Sequence, residues 1–153
     1  LIAKAWENSI GYKWSKQKHA QMMIFSNDDY FSPITCLVES GIGMPVNNPD
    51  QLPHPWSVVQ GWRKQWNGGH TFIILAYHEP TDHILTLESN SSYQLNGVGF
   101  RGIGNLRDFP SPPVNWWERT GLWTWERMKS VYRHRKMCTL KVTDQGWASA
   151  PNA

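Results

Sequence analysis

Two apolar runs dominate the chain. HTFIILAYH (70–78) is almost continuously apolar and rich in β-branched and aromatic residues, which predicts a buried strand. HILTLESN (83–90) follows after EPTD, so the pair reads as a hairpin turning at residues 79–82. Upstream, LIAKAWENSIGYKW (1–14) has apolar residues at 1, 2, 5, 6 and 10, close to helical spacing, and Gly11 ends it. SPITCLVESGIGMP (32–45) predicts a second helix, with Ser32 as cap, Pro33 in the first turn, and Gly41 and Gly43 as its end. A loop with three prolines (46–55) leads to a strand in WSVVQGWRKQW (56–66) and a turn at NGG. Residues 93–109 hold short strands broken by glycines. The aromatic and basic stretch 111–136 holds one short helix, and MCTLKV (137–142) is a last strand. Helices first and an antiparallel sheet afterwards predict an α+β fold.

The 153 residues suit a single domain, 1–153, with a real core. The chain begins at Leu1 rather than Met, which reads as a piece of a longer protein. No apolar run approaches the ~20 residues of a membrane helix, so no membrane span is expected. Charged residues make up 18%, and the net charge of +3 is mild. Much of it sits in KSVYRHRK (129–136), which reads either as a solvated face or as a contact for an anionic polymer. It matches no nucleic-acid motif. Ten tryptophans suit an aromatic core or a groove for sugars and flat polymers.

The candidate chemistry lies at the rims of the apolar runs. Cys36 falls in the first turn or so of the 32–45 helix, where the dipole favours thiolate and free N–H groups can bind an oxyanion. His70 opens its strand after two glycines and is placed to act as a general base. Pairing centred on the 79–82 turn brings Glu88 or Asn90 toward His70. The two share one strand face and would hold the imidazole in one tautomer. Cys138, in an apolar strand, reads as a core residue.

Cys at a helix start, GH opening a strand and E-x-N closing the next together resemble the CHAP amidases, within the NlpC/P60 group of papain-like cysteine hydrolases. The resemblance covers roughly residues 1 to 105 and includes IAKAWENSIGYKW. It implies a papain-like α+β fold with N-terminal helices packed on a central antiparallel sheet. It also implies Cys36 as nucleophile, His70 as base, Glu88 as orienting residue with Asn90 assisting, and Tyr12 as an oxyanion helper. Trp14, Trp56 and Trp66 are candidate walls of a substrate groove. The implied activity is hydrolysis of peptide or amide bonds, typically in peptidoglycan, with no cofactor and no metal. Such an enzyme would act after export, outside the cell or in the periplasm, and a toxin-like member would have an immunity or inhibitor protein.

Three other readings compete. His78, Glu79, Asp82 and His83 cluster as metal ligands would, but Pro80 makes the segment a turn, and no zinc-motif spacing is present. Trp116, Trp117, Trp123 and Trp125 would suit a non-catalytic glycan-binding module. A papain-like acyltransferase or hydrolase acting on lipid or protein would use the same residues.

Overall fold

The computed structural model describes residues 33–39, 41–48, 50–63, 68–91, 94–143 and 146–147. The expected helices-first pattern gives way to a sheet. Among the described residues the only α-helices are α1 (Pro33–Glu39) and α2 (Trp125–Val131), each of seven residues. The strands are β1 (Gly43–Pro45), β2 (Ser57–Arg63), β3 (Gly68–His78), β4 (His83–Ser91), β5 (Gln94–Phe100), β6 (Gly104–Asn105) and β7 (His134–Leu140). They form one antiparallel sheet in the order β1-β7-β2-β3-β4-β5-β6. A separate hairpin pairs β8 (Val142–Thr143) with β9 (Gly146–Trp147).

This corrects the α+β, papain-like expectation of N-terminal helices on a central sheet. Among the described residues the chain from 57 onward is mostly antiparallel strand, and the helices are two short covers. The N-terminal helix expected over 1–14, with Tyr12 and Trp14, lies outside the described residues, as do Ser32 and Trp66. The basic run 129–136 is not a single solvated face. Its first residues end α2, and its last ones enter β7, which inserts between β1 and β2 in the body of the sheet.

Each face of the sheet carries its own core. On face A, Val59, Phe72, Ile74, Ile84 and Met137 pack under Trp123, Trp125, Met128 and Tyr132. On face B, Val58, Cys138 and Leu140 pack under Ile34 and Leu37 of α1, with Ile42 and, partly buried, Ile73. The alternation follows from the strand period of two: Val58 and Val59 are neighbours in β2 and face opposite ways. Burying each large apolar side chain contributes on the order of 1.5–3 kcal/mol, so both layers matter to stability. Gly61 admits α2's last turn. A Cβ there would lie 2.5 Å from Cδ1 of Tyr132, so only glycine lets that ring rest on the sheet.

The β3–β4 turn is tied to α2. Asp82 adopts a left-handed conformation (φ 60°), accepts from Tyr77 Oη at 2.8 Å and from the backbone N–H of Glu126 at 3.1 Å, and its carbonyl accepts from Trp125 N–H at 2.8 Å. Thr124 caps the same helix by accepting from Arg127 N–H at 3.1 Å.

Candidate active site

His70 and Glu88 share face A because β3 is bulged. Next to the turn, His78 pairs with His83, Tyr77 with Ile84 and Ala76 with Leu85. An unbroken ladder would continue with Leu75 opposite Thr86, leaving His70 and Glu88 on opposite faces. Instead the register slips between Ile74 and Ala76, so that Ile74 pairs with Thr86 and Ile73 with Leu87. The extra residue turns the near half of β3 over. Extended in the same register, Phe72 lies across from Glu88, with His70 on its diagonal. The His70 ring stacks on Phe72 with centroids 5.7 Å apart.

His70 Nε2 lies 2.6 Å from Glu88 Oε1. The Glu88 side chain is 1% exposed and that of His70 is 20% exposed, so the pair has one inner and one outer member. Glu88 also accepts from Arg101, from Nε at 2.6 Å on Oε2 and from Nη2 at 2.7 Å on Oε1, and from Thr86 Oγ1 at 2.5 Å on Oε2. Burial pushes the Glu88 carboxyl up. The hydrogen bonds from His70, Arg101 and Thr86 and the charge of Arg101 outweigh it and hold the group down at about 2. Glu88 is therefore a carboxylate at neutral pH and can only accept. The bond then requires a proton on His70 Nε2, so in the neutral ring the lone pair is on Nδ1.

The other predicted residues are placed differently. Cys36 lies in α1, as expected from Pro33, and its side chain is outside the described residues. Its helix packs on face B through Ile34 and Leu37, whereas His70 stands on face A. The sheet brings Glu88 to His70 and sets α1 on its other side. Asn90 lies in β4, two residues beyond Glu88, and its side chain is also outside the described residues. Trp56 packs against the face B cluster with a left-handed backbone (φ 67°). Cys138 is fully buried on that face, and burial pushes its thiol up to about 12.

Sequence reasoning missed Arg101, and it read Trp123 as a sugar-stacking residue where the structure makes it a core partner of Arg101. Arg101 is 7% exposed and its guanidinium lies 4.1 Å over the Trp123 ring. In GVGFRGIG its only local signal is a lone charge between apolar and glycine residues. The close approach of Gly102 (φ 76°) to Gly121, where a Cβ would meet the Gly121 carbonyl oxygen at 2.7 Å, brings the Trp123 segment to it.

The competing clusters take ordinary places. Among the described residues no three His, Cys, Asp or Glu side chains stand together as metal ligands. His78 instead stacks on Trp117 (4.3 Å, 4°) and bonds Thr81 Oγ1 at 2.8 Å. Trp123 and Trp125 are core residues, which leaves Trp116 and Trp117 as the outer part of the aromatic cluster. Lys129 and Arg135 of the basic run pair with Glu126 and Asp50, at 2.8 and 2.5 Å, around an open cleft that Arg133 also lines. Among the described residues no helix is long and apolar enough to cross a membrane.

Compared with known proteins, the chain matches no family model, no curated protein and no solved structure.

Proposed function

We propose that this protein is a hydrolase of amide or peptide bonds in which His70, oriented by Glu88, is the general base. The observation that carries the reading is the bond from His70 Nε2 to a buried, ionised Glu88, on a ring whose other nitrogen has no hydrogen-bond partner among the described residues. A histidine held in one tautomer with one edge outward is arranged to take a proton from a nucleophile and return it to a leaving amine. Peptidoglycan is the substrate to test first, on the likeness of the Cys, GH and E-x-N residues to the CHAP amidases. Action on it would place the enzyme outside the cytoplasm, where an inhibitor or immunity protein would be its natural partner.

The nucleophile comes in two versions. Water delivered to face A meets His70 directly, and this is the version the arrangement of faces favours. Cys36 is the nucleophile the sequence motif points to. Its helix covers face B, and His70 stands on face A. Alkylation of Cys36 against pH, in the native protein and in His70→Ala, divides them. A thiol that reacts well below the ~8.5 of free cysteine, and loses this in His70→Ala, establishes the Cys36 version. A thiol indifferent to His70, with hydrolysis surviving in Cys36→Ala, establishes water. Hydrolysis that survives in His70→Ala overturns the reading as a whole.

A further inference from the structure

We propose that Arg101 is a positioning residue of this site: its guanidinium fork fixes the Glu88 carboxylate so that one oxygen is presented to His70 Nε2 and the ring is held with Nδ1 outward. The inference rests on the reading of His70 as the general base.

A carboxylate turns freely about its last bond, because that torsion is broad and two-fold. Glu88 is denied this freedom. Arg101 donates to both oxygens, Nε to Oε2 at 2.6 Å and Nη2 to Oε1 at 2.7 Å, which sets the carboxylate plane parallel to the fork. Thr86 fills a second site on Oε2, and His70 takes the second site on Oε1. Each oxygen therefore receives two donors, and the one approach left to His70 is along a fixed line. Arg101 is itself held. It is 7% exposed, its guanidinium lies over Trp123 at 4.1 Å, and its backbone N–H reaches the Thr86 carbonyl at 3.4 Å. Trp123 is in turn anchored to β4, its carbonyl accepting from the Ile84 N–H at 3.0 Å. The segment after residue 110, which lies beyond the motif residues, thus acts on His70 through Arg101. A lysine would supply the charge without the fork, so the two contributions can be separated.

The test is nitrogen-resolved NMR of the His70 ring in the wild type, Arg101→Lys and Arg101→Met, with amide spectra to establish folding and His70→Gln to assign the signals. In the neutral form of the ring, wild type is expected to show a protonated Nε2 and a bare Nδ1. In Arg101→Met the two nitrogens should average, and the Glu88 carboxyl should titrate about 1–3 units higher. In Arg101→Lys the ring should still average while Glu88 stays low, the signature of a lost fork with a kept charge. If Arg101→Met does not fold, Arg101→Lys decides. A folded Arg101→Lys with wild-type ring signals overturns the proposal, as does a neutral wild-type ring that carries its proton on Nδ1. None of these signals depends on turnover. Failure to hydrolyse any amide with the signals as expected would sink the hydrolase reading and leave the role of Arg101 in orienting the ring standing.

Discussion

Arg101 and Glu88 meet side-on, guanidinium to carboxylate, in a place where neither is exposed by more than a tenth. A buried pair of this kind is costly to break from one side, because the remaining charge has no water to turn to. Glu88→Gln should therefore lower stability by about 3–5 kcal/mol, read as a drop in the urea midpoint with little change in slope. An unchanged midpoint would mean that Arg101 finds another partner at no cost.

The same carboxylate sets an acid limit. Its folded value of about 2 lies below its ordinary 4.5, so its stabilisation is fully present above about 4.5 and is lost as pH falls toward 2. The loss amounts to about 3 kcal/mol across that window. Urea midpoints measured from pH 5 down to 2 should fall in the wild type more than in Glu88→Gln. Parallel curves for the two proteins would contradict the assignment.

Much of this site was legible and its decisive feature was not. The β3–β4 hairpin follows from two apolar runs around EPTD, and Glu88 and Asn90 share a parity whatever the register. Regular pairing from that turn, however, puts His70 and Glu88 on opposite faces. They meet because of the bulge between Ile74 and Ala76, which no residue type in IILA announces. The fold class failed for a related reason. β7 pairs with β1 and β2 across long stretches of chain, and nothing local in RHRKMCTL says that it enters the middle of a sheet. Helical spacing around Cys36 was readable, but the face its helix covers depends on Val58, Cys138 and Leu140, which are distant in sequence.

Gly61 should tolerate no side chain. Gly61→Ala places a methyl against the Tyr132 ring in a fully packed layer, and overpacking of this kind costs about 1–3 kcal/mol. Calorimetry should show a lowered Tm. A Tm equal to the wild type would mean that Tyr132 moves away freely.

Asp82 should prove structural. Asp82→Ala removes an acceptor for Tyr77 and for the first turn of α2, at about 1 kcal/mol for the cap. The hydrogen bond to Asp82, with burial and neighbouring acids, raises the Tyr77 phenol to about 12. Ultraviolet titration should find it returning toward 10 in Asp82→Ala. A phenol that titrates unchanged would place its cause elsewhere.

Cys138 should stay silent in the folded protein. Its thiol is buried and pushed up to about 12, so alkylation of the native chain should leave Cys138 unmodified until the protein unfolds. Mass mapping of the modified peptides reads this directly. Modification of Cys138 before unfolding would show that face B opens.

The central claim is that His70, held by Glu88, moves the proton in hydrolysis. The most direct measurement is the rate at which new amino groups appear when purified peptidoglycan is incubated with the wild type and with His70→Ala. The account predicts release by the wild type and a loss of about 100-fold or more in the variant. Equal rates in the two proteins would contradict it.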